Sequence, residues 1–146
     1  MAVRTEEVFA RQHEVLALDD IEALHDTRVA TRRLRAALEV FEPCFPHGAF
    51  RRVLAEVKQL ADSLGERRDL DVQIEWLERY AAARGGAERP AILGFVEALR
   101  AEQASANDAL AELLEDVRSE DLEGRLHELA DRAASPARRR RSGSAR

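Results

Sequence analysis

The stretch His25-Asp-Thr-Arg-Val-Ala-Thr-Arg-Arg-Leu-Arg35 places one histidine and four arginines within about three turns of a predicted helix. At about 100° per residue, His25, Arg28, Arg32 and Arg35 fall within one arc of roughly a quarter-turn. Apolar side chains gather on nearly the opposite side: Ala30, Leu34, Ala37, Leu38 and Phe41. The pattern predicts a helix with a core face and a cationic face. Because arginines at this spacing repel one another, a bound anion is the natural reason for lining them up.

Outward from this stretch, the sequence favours helix throughout the first 134 residues. Ala, Leu, Glu and Arg dominate, whereas β-branched and aromatic residues are sparse. The predicted helices are 4–18, 20–41, 49–64, 68–83, 89–117 and 121–134. Pro43 and Pro46 separate the second helix from the third, and Gly85-Gly86 separate the fourth from the fifth. Gly65 either caps the third helix or lies inside one longer, kinked helix. Short connections predict an all-α, antiparallel up-and-down helical bundle over residues 1–134.

A second basic segment is Leu64-Gly-Glu-Arg-Arg-Asp-Leu-Asp-Val72, which follows an amphipathic run. Together the two segments resemble the CHAD family, the conserved histidine α-helical domains. The resemblance is carried by His25-x-x-Arg28-x-x-x-Arg32-Arg33-x-Arg35 and by Leu64-Gly65-x-x-Arg68-Asp69-x-Asp71-Val72. Lys58 stands where family members commonly carry a basic residue, and Arg67 falls at a position that the family pattern leaves open.

The resemblance implies an all-helical domain that binds inorganic polyphosphate. Carried over residue by residue, the polyphosphate ligands are His25, Arg28, Arg32, Arg33, Arg35, Lys58 and Arg68. For Asp69 and Asp71 three roles are open: orienting Arg68 and its neighbours, binding a divalent ion that travels with phosphate, or favouring the start of a helix through its dipole. The orienting role is preferred. His25 either donates to a phosphate oxygen or is a helical histidine that packs against a neighbour.

Family members usually contain two related bundles, whereas 146 residues accommodate about one. In a single bundle the cationic face is open to water, where each contact is screened and weak. The resemblance therefore predicts a homodimer in which two His25–Arg35 helices flank one polymer, because a two-fold axis pairs the same surface with itself.

The formal net charge of −5 conceals an uneven distribution of charge. Cations outnumber acids between His25 and Arg68, and acids prevail over residues 88–131. A basic patch on an acidic body binds a compact polyanion while discouraging indiscriminate adhesion to nucleic acid. Arginine suits phosphate because its planar fork donates two N–H groups to two oxygens. Sequence-specific nucleic-acid binding is not expected, since the cationic face carries no aromatic residue for base stacking.

Other residues are interpreted as structural. A core stripe is predicted to contain Val72, Ile74, Trp76, Leu77 and Tyr80. The single Cys44 has no disulfide partner and is predicted to pack in a turn, which indicates a reducing compartment. Surface positions are predicted for the histidines outside the motif: His13, His47 and His127.

Motifs for catalysis, metal binding and membrane insertion are not found in the sequence. Neither a His-Glu-x-x-His motif nor a glycine-rich phosphate loop is present, and no nucleophile has an evident base. We expect binding without turnover, no cofactor and no bound metal. Without a signal peptide or an apolar run long enough to span a membrane, the cytoplasm is the expected location.

Two features leave alternatives open. The arginines could instead form interhelical salt bridges to the acidic helices after Glu88, as in a helical interaction or scaffold module. Residues 135–146 contain four consecutive arginines and no apolar periodicity, which predicts a disordered basic tail. This tail either reaches a polyanion, a membrane surface or an acidic partner, or is simply a solvated terminus.

Overall fold

The computed structural model describes residues 2–12, 14–18 and 20–134. Within these ranges it contains no strand, and its α-helices are α1 (Ala2–Phe9), α2 (Ile21–Val40), α3 (His47–Ala82), α4 (Glu88–Ser119) and α5 (Leu122–Ala134). A short 3-10 helix, Glu42–Cys44, joins α2 to α3. The all-α prediction is confirmed. The predictions for His13 and for the tail 135–146 lie outside the described residues.

Local sequence explains where the helices begin and end. Asp20 caps α2, because its side chain accepts a hydrogen bond from the Ala23 amide at 2.9 Å. Pro46 immediately precedes α3, where a missing backbone N–H costs nothing. Gly86 has a φ of 77° in the turn between α3 and α4, a conformation that glycine adopts without steric cost.

The first predicted helix, 4–18, is wrong over its second half. α1 ends at Phe9, and turns follow it. The backbone of this segment forms turn hydrogen bonds, and side-chain contacts join it to α4: the Gln12 side chain donates to the Leu114 carbonyl at 3.4 Å, and the Asn107 side chain donates to the Leu16 carbonyl at 3.2 Å. Tertiary hydrogen bonds therefore outweigh the helical pattern of the sequence here.

The third and fourth predicted helices are one continuous helix. α3 runs through Gly65 for 36 residues, about 54 Å. Of the two interpretations of Gly65, the one that places it inside a longer helix is confirmed. A glycine in a helix interior costs only about 1 kcal/mol relative to alanine, and α2 and α4 both pack against this part of α3.

Neighbouring helices run antiparallel, as predicted. Ion pairs join Arg35 to Asp62 and Glu39 to Lys58, so residue numbers rise along α2 as they fall along α3. α3 and α4 are related in the same way, because Arg67 contacts Asn107 and Glu78 contacts Arg100. α5 packs against α1 and α3.

Two apolar clusters hold the fold together. The larger contains side chains from all five described helices, among them Val8, Leu34, Phe50, Leu114 and Leu126. The smaller contains only α3 and α4 side chains: Leu70, Ile74, Val96 and Leu99 are buried in it, and Leu77 and Ala106 pack against it. We call the part of the α3–α4 hairpin between Leu70 and Leu99 the arm, because these two helices build its core alone.

The predicted core stripe on the arm is only partly correct. Ile74 is buried and Leu77 is half-buried, but Trp76 and Val72 are 55% and 47% exposed. Tyr80 is half-buried. Among the described helices α4 alone packs against this part of α3, so the described chain covers only one side of the helix.

Two further packing predictions fail near the end of α2. Phe41 is 54% exposed rather than part of the core face, and Cys44 is exposed rather than packed. Both lie where the chain leaves α2 for the 3-10 helix, so neither follows the core-facing periodicity. Among the other histidines, His47 is exposed and His127 is half-buried, with a ring nitrogen 2.9 Å from the Glu123 carbonyl oxygen.

Candidate functional site

A groove of about 840 Å³ runs between α2 and the α3–α4 hairpin. Arg28, Arg32 and Arg35 line it from α2, three of the four residues that helical geometry places on one cationic face. The opposite side includes small residues that leave room for a ligand: Ala61, Ser63, Gly65, Ser105, Ala106 and Ala109. Carboxylates also line the groove: Asp62, Glu66, Asp69 and Glu102.

Two groove arginines have no acceptor within the part of the chain that the structure describes. Arg28 and Arg32 form no hydrogen bond and no ion pair with any residue that the structure describes. A Cβ built at Gly65 would lie 3.8 Å from Arg28 Nε, which places that guanidinium directly beside the glycine. Some arginines elsewhere in the described chain, such as Arg4 and Arg125, are paired with carboxylates, whereas others, such as Arg51 and Arg89, are exposed and unpaired outside the groove. Arg28 and Arg32 therefore keep their donors available to a ligand.

Arg35 and Lys58 share an acidic partner. Arg35 Nε is 3.2 Å from Glu39 Oε1, and Lys58 Nζ is 3.3 Å from the same oxygen. Hydrogen bonds from Arg35 and then Lys58 hold the pKa of Glu39 below its usual value. Arg35 lines the groove together with Asp62, which lies 3.8 Å from Arg35 Nη1, whereas Lys58 and Glu39 lie outside the groove lining.

His25 and Arg68 meet in a neighbouring pocket of about 380 Å³, which they line with Ile21, Glu22 and Asp26. Arg68 Nη1 is buried and has no hydrogen-bond partner among the described residues. His25 is exposed. The structure thus brings these two predicted ligands together, but beside the main groove rather than within its lining.

Arg33 also lies outside the groove lining, on another side of α2. It lines a shallow pocket of about 260 Å³ on the adjoining side of α2, together with Val29, Arg32 and Ala36. A rotation of about 100° separates consecutive helical residues, so Arg33 cannot share the groove face with Arg28 and Arg35.

Arg67 occupies a role that the sequence prediction missed. It is 1% exposed, and its guanidinium contacts the buried Asp71 carboxylate and donates to Asn107 Oδ1 at 3.3 Å. Gln103 donates to Asp71 Oδ1 at 2.6 Å, while Asp71 Oδ2 has no partner among the described residues. Asn107 in turn donates to the Leu16 carbonyl.

These contacts place Asp71 on Arg67, the neighbour of Arg68, and no contact between Asp71 and Arg68 is seen among the described residues. Asp69, by contrast, lines the groove. A signal for the buried pair was present in the spacing of α3. Positions 50, 53, 57, 60, 64, 67, 71 and 74 alternate steps of three and four, and all eight side chains are buried. Arg67 and Asp71 therefore occupy core positions of a regular apolar repeat.

Comparison with protein families gives one result, a match of the CHAD domain model to residues 3–146. The chain belongs to the CHAD family. In this CHAD domain the family match extends beyond Val72, where the recognised motifs end, through the arm and α5. Comparisons with curated proteins and with solved structures find no match.

His25, Arg68 and three arginines of the first CHAD motif lie on adjoining surfaces, whereas Arg33 lies on another side of α2. The first motif supplies the arginines of the groove, and Arg68 of the second motif meets His25 at its edge. Among the described residues, no group of three or more His, Cys, Asp or Glu side chains is arranged to hold a metal ion. No described helix is both long and apolar enough to span a membrane.

Proposed function

We propose that this CHAD domain binds inorganic polyphosphate, or a related phosphate polyanion, in the groove between α2 and the α3–α4 hairpin. The observation that carries the proposal is the state of Arg28 and Arg32. Both line an open groove, and neither has a carboxylate partner among the described residues. Placing like charges side by side raises the free energy of the protein, and a phosphate ligand offsets that cost.

The spacing of the groove arginines suits a linear ligand. Arg28, Arg32 and Arg35 are separated along α2 by rises of about 6 Å and about 4.5 Å. Each guanidinium donates to two oxygens of one phosphate group. Successive arginines at this spacing can bind successive phosphates of a chain, whereas a single phosphate ion contacts only one or two of the arginines.

We propose binding without turnover. The cationic groups that line the groove are guanidiniums, which stay protonated at any physiological pH and therefore hold an anion without transferring protons. Groups of this kind stabilise a bound phosphate chain, and hydrolysis needs in addition an activated water or another nucleophile.

The pairing of charges supports this function over an interhelical salt-bridge module. Within the described chain, Arg35 is the paired arginine of the first motif, and its partners Glu39 and Asp62 precede Glu88. Arg28 and Arg32 contact none of the acids of α4 or α5 closely enough to form an ion pair. The interaction-module alternative requires such pairs.

Calorimetric titration with polyphosphate tests the proposal, with orthophosphate and an equally charged oligonucleotide as competitors. We expect binding to weaken as salt increases, because phosphate contacts release condensed counterions. Replacing Arg28 and Arg32 together with Ala should lower affinity by roughly tenfold or more while leaving helicity unchanged. The matched control is the double variant Arg51→Ala/Arg89→Ala, which removes the same charge from exposed positions outside the groove.

Equal losses in both double variants would contradict a specific site in the groove and indicate general charge attraction. Unfolding of the Arg28→Ala/Arg32→Ala variant, measured by circular dichroism, would show that these side chains are structural. Shortening of the polymer during incubation would contradict binding without turnover.

A further inference from the structure

Three stacked side chains, Trp76, Tyr80 and Arg84, lie on the exposed side of the arm, and we call them the aromatic ladder. The Trp76 and Tyr80 rings stack with centroids 5.3 Å apart and planes 13° from parallel. The Arg84 guanidinium carbon lies 4.7 Å from the Tyr80 centroid. Tyr80 is thus covered by a ring on one side and a cation on the other, whereas more than half of Trp76 is exposed. The indole therefore retains surface on which another flat ring can stack.

This ladder continues the α3 wall of the groove. Asp69 and Gln73 line the groove, and Trp76 and Tyr80 follow them at steps of three and four residues. Residues at this spacing share one face of a helix. Trp76 lies about 10 Å along α3 from Asp69 and about 17 Å from Gly65, the residue beside the Arg28 guanidinium.

The α4 wall of the groove has a matching extension. Glu102 lines the groove, and Phe95, seven residues earlier and therefore on the same face of α4, is 56% exposed. The ion pair between Arg100 and Glu78 holds this part of the arm in register. The basic groove therefore leads onto a surface with aromatic residues on both helices.

Carboxylates lie between the arginines and the aromatic rings. Asp69 and Glu102 line the groove but repel phosphate, so a bare phosphate chain does not explain their presence. A carboxylate does accept hydrogen bonds from hydroxyl groups, and acidic side chains bind ribose hydroxyls in this way in dinucleotide sites. Asp62 and Glu66 lie at the level of the α2 arginines, whereas Asp69 and Glu102 lie further along the hairpin, between Gly65 beside Arg28 and the aromatic rings.

The geometry points to a nucleoside polyphosphate as a ligand of this groove. Its phosphates contact Arg28 and Arg32, its ribose hydroxyls donate to Asp69 and Glu102, and its base stacks on Trp76. The order of chemical groups in the ligand matches the order of side chains along the hairpin. This inference rests on the proposed function, because the same arginines hold the phosphates.

The test compares ATP with inorganic tripolyphosphate, which has the same number of phosphates and no base. Trp76 is the single tryptophan of the chain, so its fluorescence reports on the proposed stacking directly. We expect ATP to quench this fluorescence and to bind roughly 5- to 100-fold more tightly than tripolyphosphate, the range that corresponds to stacking on one aromatic side chain. Equal affinities, or binding of ATP without a change in fluorescence, would overturn the inference.

Variants of Trp76 test whether a preference for ATP over tripolyphosphate depends on the indole ring. Trp76→Ala should remove the advantage of ATP while leaving the affinity for tripolyphosphate unchanged, and Trp76→Phe should retain most of it. Leu93→Ala is the matched control, since Leu93 is an exposed apolar residue of the arm but lies on another face of α4. Loss of the preference in Leu93→Ala, or its survival in Trp76→Ala, would contradict stacking on Trp76.

The two proposals fail in different ways. If tripolyphosphate does not bind the wild-type protein, phosphate binding in the groove is wrong. If tripolyphosphate binds and depends on Arg28 and Arg32 but ATP binds no better, the proposed function stands and the nucleoside inference alone is wrong.

Discussion

The Arg67 guanidinium contacts the Asp71 carboxylate one turn further along α3, and both side chains are almost completely buried. Asn107 and Gln103 of α4 add hydrogen bonds to Arg67 and to Asp71 Oδ1, while Asp71 Oδ2 has no partner among the described residues. The pair lies between the large apolar cluster and the smaller cluster of the arm, where it connects α3, α4 and the segment that precedes α2. Buried charges need such partners, because an isolated charge in the protein interior is strongly destabilising.

Removing one member of this pair should destabilise the domain strongly. Asp71→Ala leaves the Arg67 guanidinium buried without its counter-ion, and we expect a loss of about 3–5 kcal/mol in the free energy of unfolding. Urea unfolding followed by circular dichroism measures the change. Glu75→Ala, which removes an exposed acid 3.9 Å from Arg79, is the control and should have little effect. A similar small effect for Asp71→Ala would mean that solvent reaches the pair.

Replacing Glu39 with Gln should strengthen polyphosphate binding. Glu39 accepts hydrogen bonds from Arg35 and Lys58, so its removal frees both cations for the ligand. We expect a gain of roughly 2- to 5-fold in affinity, as for an exposed ion pair. Titration calorimetry checks this, with Glu75→Gln as a control of equal charge change away from the groove. An equal gain in both variants would show that only the net charge matters.

The same pair of contacts predicts a pH dependence of stability. Because Arg35 and then Lys58 lower the pKa of Glu39 in the folded state, this group contributes stability above its unfolded pKa of about 4.3. The contribution is lost as the pH falls through the lower folded pKa. Urea unfolding at several pH values should therefore show that the difference between wild type and Glu39→Gln disappears under strongly acidic conditions. A difference that persists there would contradict the assignment.

Gly65→Ala should stabilise the domain by about 0.5–1 kcal/mol, since alanine favours the interior of a helix. The added methyl group meets only Arg28 Nε, at an ordinary contact distance of 3.8 Å. Thermal unfolding measures the gain. Gly86→Ala is the opposite control and should destabilise, because the φ of 77° disfavours a side chain. If Gly65→Ala lowers polyphosphate affinity tenfold, the ligand occupies the space beside this glycine.

Polyphosphate should bring two molecules together. The groove is open along one side, where contacts to the ligand are screened by water, and a second cationic face related by a two-fold axis would cover it. Light scattering during a titration with long polyphosphate should give twice the 16.4 kDa mass of one chain. Arg28→Ala/Arg32→Ala should stay monomeric under the same conditions. A wild-type particle that keeps its monomer mass at saturation rules out a shared polymer.

Much of the fold and part of the site follow from local pattern. Both faces of α2 are predicted correctly: Ala30 and Leu34 are buried in the core, and Arg28 and Arg32 line the groove. The helical period alone decides which of these residues share a side. The break at Gly85-Gly86 and the antiparallel arrangement also follow from sequence. The pattern did not reveal the continuity of α3 through Gly65, where packing outweighs the weak propensity of one glycine.

By itself, then, the sequence determined the helical class, the cationic face of α2 and the family to which the chain belongs. Only the tertiary structure decided which helix faces are covered. Arg67 and Asp71 are buried together because α4 supplies Asn107 to the one and Gln103 to the other, and Trp76 is exposed because no third helix reaches the arm within the described chain. Periodicity assigns a residue to one side of its helix, whereas its burial depends on which distant segments pack against that side.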